Sequence, residues 1–195
     1  MSKGLQFLHV TKTGGTSIES QGKTIGFKWG RFAPHLGPHH VPLIQRHPKI
    51  RYNYDWFMVC RNPYDRMLSE FYCRFGGLGP QATKNLRDKS RLNEVVFKRI
   101  NKSREGFLDS NRNQFHYYPQ HLYLDPHAKI HILRFESLAD DFSSLMNKYN
   151  RTLELTLHLF KSEKIFSVND FSREVLDLIN DYYEKDFLTF GYDMK

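Results

Sequence analysis

A short apolar segment that runs directly into a glycine-containing turn and a helix start limits the fold of this chain more than any other feature. Leu5–Val10 is predicted to form a buried strand, and Thr16–Gln21 can begin a helix. In such a connection, consecutive backbone N–H groups and the helix N-terminus converge on an anion. Gly14 and Gly15 let the backbone approach that anion closely. The segment therefore predicts a strand, an anion-binding turn and a helix.

The side chains of this turn also suit a phosphate group. Lys12 supplies a positive charge, and the hydroxyl groups of Thr13, Thr16 and Ser17 supply hydrogen-bond donors. The turn is not a Walker A motif, because that motif has glycine directly before its lysine and this chain has Thr11 there. Taken alone, the segment also fits an ordinary strand–turn–helix connection with glycines.

Strands and helices alternate along the rest of the chain. Further strands are predicted at Ile25–Trp29, Tyr54–Cys60 and Lys129–Phe135. Helices are predicted around Pro42–Arg46, from Pro63, and over Leu92–Ser103, Glu136–Tyr149 and Phe171–Phe187. This alternation predicts an α/β fold, a three-layer sandwich around a mostly parallel central sheet with a P-loop-type phosphate-binding loop. No repeat or linker interrupts the sequence, so residues 1–195 are predicted to form a single domain.

A second candidate anion-binding segment follows the predicted strand Tyr54–Cys60. Arg61 stands at the C-terminal edge of that strand, where open α/β sheets bind ligands. Asn62 and Pro63 are a typical helix start, and Ser69 lies in that helix, off its apolar stripe. A guanidinium and a hydroxyl group can hold one phosphate group from two sides. The alternative is an arginine that caps a neighbouring element and a serine on a solvated helix face.

Composition restricts the classes of partner and compartment. The chain has 29 Lys and Arg against 21 Asp and Glu, and its net charge of +8 favours anionic partners. Cys60 and Cys73 lie in apolar patterns without metal-ligand spacing, which indicates buried thiols in a reducing compartment. No apolar run approaches the ~20 residues of a membrane span, and no signal peptide is recognisable. The protein is therefore expected to be cytoplasmic, with no bound metal and no membrane partner.

The two anion-binding segments together resemble those of sulfotransferases that use 3′-phosphoadenosine 5′-phosphosulfate (PAPS). Lys12–Ser17 is similar, position by position, to the 5′-phosphosulfate loop of this family, although Thr11 stands where proline is usual. The motif RNPYDRMLSE, which contains Arg61 and Ser69, resembles the 3′-phosphate motif. Segments at Pro119–Leu124 and Ile132–Phe142 and the C-terminal DFLTFGY resemble the small carbohydrate-type sulfotransferases. The resemblance covers most of the chain.

The resemblance implies roles for particular residues. The cofactor PAPS would be bound by residues of both segments, namely Lys12, Thr13, Gly14, Gly15, Thr16, Ser17, Arg61 and Ser69. Lys161 and Ser162 match a later loop that closes over the nucleotide, although Phe160 stands where asparagine or arginine is usual.

Three histidines after the first loop are candidates for the catalytic base. His35, His39 and His40 lie close together in the sequence, and histidine accepts a proton near pH 7 without a large pKa shift. Related enzymes commonly carry this histidine within H-[VT]-P, which His40 matches. The resemblance thus implies His40 as the base and Lys12 as the group that stabilises charge on the leaving phosphate.

The sequence predicts a sulfotransferase that moves a sulfuryl group from PAPS to a hydroxyl group, on a glycan or another small molecule. A P-loop kinase is the alternative enzyme, but it requires glycine before Lys12 and an aspartate for Mg²⁺ at the strand end, where Arg61 stands. A non-catalytic binder of polyanions or nucleic acid is the alternative from another class. The charge permits it, but no nucleic-acid-binding motif is recognisable.

Overall fold

A computed structural model of the protein describes residues 3–73, 87–105, 115–156 and 165–195. The chain divides into two compact units. The first unit is Met1–Arg61 with Leu122–Lys161, and the second is Asn62–His121 with Ser162–Lys195. The prediction of one domain over the whole chain stays a prediction.

The described residues form three strands and seven α-helices. In chain order these are β1 (Gly4–Leu8), α1 (Gly15–Thr24), α2 (Pro48–Asn53), β2 (Tyr54–Cys60), α3 (Pro63–Phe71), α4 (Lys89–Arg104), β3 (Ile130–Arg134), α5 (Leu138–Lys148), α6 (Arg173–Tyr182) and α7 (Glu184–Phe190). Short 3₁₀ helices include Gly30–Phe32, Pro34–Leu36, Leu43–Gln45, Gln120–Tyr123, Phe135–Ser137 and Val168–Asp170. None of the helices in the described ranges has the length and hydrophobicity that a membrane span requires.

The first unit contains a parallel sheet with the strand order β1-β2-β3. The central strand β2 has the sequence YDWFMVC and is buried along nearly its whole length, as expected for a parallel strand covered on both faces. In the register, Phe57 pairs with Phe7 on one side and His131 on the other. Since all three strands run in one direction, their carboxyl ends lie at a single edge of the sheet. The predicted α/β class with a parallel sheet is confirmed.

Residues 25–29 of the first unit, which the sequence predicts as a strand, are held in place by aromatic packing instead. After α1 the chain turns at Gly26, which has φ 87°, and Trp29 enters the core. The Trp29 ring packs edge-on against Phe57, with 5.1 Å between centroids, and its Nε1 donates to the carbonyl oxygen of Leu5 at 3.1 Å. The prediction of a strand over Ile25–Trp29 is therefore wrong. The apolar pattern there reflects burial of the indole and not pairing of the backbone.

Helix α3 of the second unit begins where the sequence predicts it. The side chain of Asn62 accepts a hydrogen bond from the backbone N–H of Tyr64 at 3.0 Å, so α3 begins as predicted. Helix α3 buries Met67 and Phe71 in a core that it shares with α4, α6 and α7. The single helix predicted over Phe171–Phe187 is instead α6 and α7, separated at Tyr183. The hydroxyl of Tyr183 donates to the carbonyl oxygen of Tyr117 at 2.7 Å, which anchors the break in the core.

A buried polar network also lies in the second unit. His116 Nδ1 donates to Glu70 at 2.8 Å, and its side chain is hydrogen-bonded to the buried free thiol Cys73. Arg66, which is fully buried, donates to the backbone carbonyl oxygen of His116 at 2.7 Å. Burial alone would lower the pKa of His116. The charge of Glu70 and the hydrogen bonds from Cys73 and Glu70 outweigh burial, and the pKa is raised to about 9.

This network makes the stability of the protein depend on pH. Because the pKa of His116 is raised in the folded state, its contribution to stability is complete below about pH 6.5 and is lost as the pH rises past about 9. The contribution is on the order of a few kcal/mol, since each pH unit between the two pKa values corresponds to about 1.4 kcal/mol. We expect urea unfolding, followed by circular dichroism, to show a steeper loss of stability between pH 6.5 and pH 9.5 in the wild type than in His116→Gln. Parallel losses in the two proteins would contradict the expectation.

Candidate active site

The turn between β1 and α1 contains two residues in the left-handed region, Lys12 with φ 59° and Gly14 with φ 83°. A non-glycine residue in this conformation costs about 1–2 kcal/mol, and such strain occurs mainly at functional positions. The carbonyl oxygen of Gly14 accepts hydrogen bonds from the backbone N–H groups of Ser17 at 3.0 Å and Ile18 at 3.4 Å. Helix α1 thus begins at Gly15. The first N–H groups of a helix have no intrahelical acceptor, which makes this end of α1 suitable for an anion.

The hydroxyl-bearing residues of the turn, Thr13, Thr16 and Ser17, differ in how deeply they are buried. The Thr13 hydroxyl is fully buried and donates to the carbonyl oxygen of Val10 at 2.9 Å, so it stabilises the turn itself. Thr16 is half-buried and accepts a hydrogen bond from Arg31 Nη2 at 2.9 Å, and its own proton can still be donated. Ser17 is buried in the first turn of α1. Thr16 is therefore better suited than Thr13 to donate to a bound anion.

Arg61 connects the two segments that the sequence predicts to bind anions. Its Nη1 donates to the carbonyl oxygen of Lys12 at 2.9 Å, and its guanidinium carbon lies 4.1 Å from the ring centroid of Phe135. The side chain is buried, with an exposed fraction of 6%. Arg61 thus holds the strained backbone of Lys12 from the end of β2, and Phe135 holds Arg61 from the end of β3. The three carboxyl ends of the sheet are linked at this point.

The remaining predicted cofactor residues are Ser69, Lys161 and Ser162. Ser69 is half-buried on α3, in the second unit. Lys161 and Ser162 lie outside the described residues. Roles for these three residues in binding the cofactor remain proposals.

His40 is held in one orientation by the backbone of the first unit. Its Nδ1 lies 3.1 Å from the carbonyl oxygen of His9, which can only accept, so Nδ1 carries the proton and Nε2 of the neutral ring is the proton acceptor. The His39 ring lies 4.0 Å from the His40 ring, between centroids. Burial, followed by the charge of His9, lowers the pKa of His39 to about 4. His35 is exposed on the 3₁₀ helix Pro34–Leu36.

His9 is a functional candidate that the sequence reasoning missed. It is buried, and its Nδ1 lies 2.7 Å from Glu19 Oε1. A Cβ atom added at Gly15 would lie 2.3 Å from the His9 ring, so glycine is required there for close packing. The only signal in the sequence was a polar residue at the end of an apolar segment. The apolar pattern of that segment predicts only a strand.

Glu19 links His9 to a cation. The carboxylate is fully buried, and it accepts hydrogen bonds from Arg31 through Nε at 2.5 Å and through the backbone N–H at 2.9 Å. Burial would raise the pKa of Glu19, but the hydrogen bonds and charges of His9 and Arg31 outweigh it and the pKa is lowered. Glu19 is therefore an ionised group that orients His9. Because both of its oxygens are engaged, it is poorly placed to act as the base.

Arg46 organises the loop that carries His39 and His40. Its buried guanidinium donates to the carbonyl oxygens of Leu36, of Pro38 at 3.0 Å and of Val41 at 3.1 Å. One side chain thus fixes the backbone on both sides of the two histidines. No motif or spacing in the sequence indicated this role, since the partners are backbone atoms.

A parallel sheet with a strand–turn–helix connection at its carboxyl edge is an arrangement that α/β proteins use to bind anionic ligands. The family model for the sulfotransferase family matches residues 38–193, and the chain belongs to that family. It is therefore a transferase of sulfuryl groups, with the P-loop-type fold that the family implies. The matched range contains His40, Arg61 and Ser69, whereas Lys12–Ser17 precedes it. No curated protein and no solved structure matches the chain.

Proposed function

We propose that this protein transfers a sulfuryl group from PAPS to a hydroxyl group of a glycan or of another small molecule. The observation that carries the proposal is the hydrogen bond of 2.9 Å from Arg61 Nη1 to the carbonyl oxygen of Lys12. It joins the turn proposed for the 5′-phosphosulfate to the side chain proposed for the 3′-phosphate. Membership of the sulfotransferase family supports the reaction type, and the net charge of +8 suits an anionic donor.

The groups around the turn fit such a donor. Lys12 and Arg61 are cations, Thr16 has a hydroxyl proton to donate, and the first N–H groups of α1 are donors. The carboxylate of Glu19, which lies on α1, is paired with Nε of Arg31 at 2.5 Å. We propose Ser69, Lys161 and Ser162 as further ligands of the nucleotide. Bound PAPS would supply the activated sulfuryl group.

The proposed roles in the reaction follow from charge and proton position. His40 accepts the proton of the acceptor hydroxyl at Nε2, because Nδ1 donates to the His9 carbonyl oxygen. The acceptor oxygen then forms its bond to sulfur as the bond between sulfur and the phosphate oxygen breaks. Negative charge collects on the departing phosphate oxygen, and Lys12 stabilises it. No step in this scheme requires a metal ion.

Binding of the product nucleotide tests the donor. We expect 3′-phosphoadenosine 5′-phosphate (PAP) to raise the melting temperature of the protein, because it binds the native state and not the unfolded chain. When the PAP concentration is 100 times its Kd, the native state is stabilised by about 2.7 kcal/mol. For a chain of this length, that raises the melting temperature by roughly 5–10 °C. Mg·ATP should raise the melting temperature less.

The same experiment separates the alternatives. Equal or stronger stabilisation by Mg·ATP would favour a kinase. Steeply salt-dependent binding of polyanions without saturable binding of PAP would favour a non-catalytic binder. A transfer assay with radiolabelled PAPS and a panel of glycans and small alcohols then tests the acceptor. Label transferred to none of the glycans but to a small alcohol would contradict a glycan acceptor and retain the reaction.

A further inference from the structure

Three imidazole rings meet in the first unit, although His9 is distant in the sequence from the adjacent residues His39 and His40. His9 follows β1, and His39 and His40 lie on the loop between the 3₁₀ helices Pro34–Leu36 and Leu43–Gln45. One ring nitrogen of each histidine lies within 4.8 Å of those of the other two. The ring centroid of His9 lies 4.4 Å from that of His40 and 5.7 Å from that of His39.

We propose that His9, His39 and His40 form a binding site for a divalent transition-metal ion such as Zn²⁺, and that an ion bound there inhibits the enzyme. Imidazole nitrogen is a preferred ligand of Zn²⁺, Cu²⁺ and Ni²⁺, and three histidines with one open position are a known ligand set for zinc. Inhibition follows because a metal on His40 prevents this ring from accepting a proton. That second part of the inference rests on the proposed function.

The distances are compatible with coordination after small movements. Ligands at about 2.1 Å in a tetrahedral zinc site lie about 3.4 Å apart. The nitrogens of the three histidines, within 4.8 Å of one another, must therefore approach by 1–2 Å at most. His39 and His40 are half-buried on a loop, so side-chain rotation can supply this movement.

The contacts around the rings are those that orient metal ligands. A ligating histidine usually donates its second ring nitrogen to a carboxylate or a backbone carbonyl group. Nδ1 of His9 pairs with the buried carboxylate of Glu19 at 2.7 Å, and Nδ1 of His40 lies 3.1 Å from the carbonyl oxygen of His9. Both contacts assign Nε2 as the ligand atom. The rings of His9 and His40 thus already have the second contact that a metal-ligating histidine usually makes.

The surrounding charges make this a reversible site. Glu19 favours a cation, but Arg31 pairs with that carboxylate, and Arg46 holds the loop that carries His39 and His40. Two guanidinium groups near the ligands oppose a divalent ion. We therefore expect the ion to be removed by chelators, as a regulatory ion would be, and not to be retained through purification.

Metal binding is tested on the full chain without a polyhistidine tag, after treatment with EDTA and in the absence of PAPS and acceptor. Titration with Co²⁺, followed by the visible absorption of tetrahedral Co²⁺, should show one equivalent bound, which Zn²⁺ displaces. His39→Gln should lower the affinity at least tenfold. Glu19→Gln should lower it roughly 10–100-fold, as is usual for partners of a ligating histidine.

The matched control is His35→Gln, which removes an exposed histidine of the same region that is not one of the three ligands. It should bind Co²⁺ as the wild type does. Circular dichroism checks that each variant is folded. The site is overturned if the wild type binds no metal, if it binds several weak equivalents, or if His35→Gln and His39→Gln lose the same affinity.

Inhibition is tested separately with the transfer assay. Zn²⁺ should inhibit the wild type, and EDTA should restore its activity. Inhibition of His39→Gln should require a Zn²⁺ concentration at least tenfold higher. One equivalent of bound metal without inhibition would overturn the regulatory role and retain the site. Normal sulfuryl transfer in a protein that binds no metal would overturn the site and retain the proposed function.

Discussion

Replacing His40 with alanine is expected to slow sulfuryl transfer about 10²–10⁴-fold, the usual effect of removing a general base. The rate should fall because His40 is held in a tautomer that can accept a proton. The carbonyl oxygen of His9 accepts from Nδ1 of His40, which assigns Nε2 as the proton acceptor. The measurement is the transfer rate at saturating PAPS with an acceptor identified in the panel. The affinity for PAP should stay unchanged, because the proposed phosphate-binding groups belong to other residues.

The neighbouring histidines provide the controls for His40. His35 is exposed on its 3₁₀ helix, so His35→Ala should retain wild-type activity. His39→Ala should lose much less activity than His40→Ala. Near-normal turnover in His40→Ala together with inactivity in His35→Ala or His39→Ala would show that the base is another histidine. Activity in all three variants would place the base outside this loop.

Replacing Lys12 with methionine is expected to lower the saturating transfer rate about 10²–10³-fold, which is more than it lowers the affinity for PAP. Negative charge grows on the departing phosphate oxygen only as its bond to sulfur breaks, so the ammonium group acts mainly on the transition state. Methionine has nearly the same length as lysine and the same Cβ. The left-handed backbone, with φ 59°, is therefore equally strained in both proteins.

The control for Lys12 is Lys28→Met, which removes an exposed positive charge from the same unit. It should change neither the rate nor the affinity for PAP by more than a small factor. A Lys12→Met protein that binds PAP weakly but turns over normally at saturation would assign Lys12 to ground-state binding. Equal effects of the two variants would assign the change to net charge alone.

Local patterns in the sequence predicted much of the fold because the interactions behind them are short-range. The strand Tyr54–Cys60 was recognisable as an apolar run, and the start of α3 as a capping residue before proline. The prediction failed at Ile25–Trp29, where an apolar segment is buried through one indole ring. It also missed the break between α6 and α7. At that break the hydroxyl of Tyr183 donates a buried hydrogen bond to the distant carbonyl oxygen of Tyr117.

The candidate site likewise combines features that local sequence patterns predict with contacts that only the tertiary structure produces. The sequence by itself determined the strand–turn–helix connection around Lys12–Ser17 and the position of an arginine at the end of β2, since a strand, its turn and the next helix are contiguous in the chain. Only the tertiary structure brought Arg61 to the backbone of Lys12 and His40 to that of His9. These contacts join residues 31 or more positions apart, and each acceptor is a backbone carbonyl oxygen. Every residue carries a carbonyl group, so no residue type marks such a partner, and the folded chain alone decides which one is used.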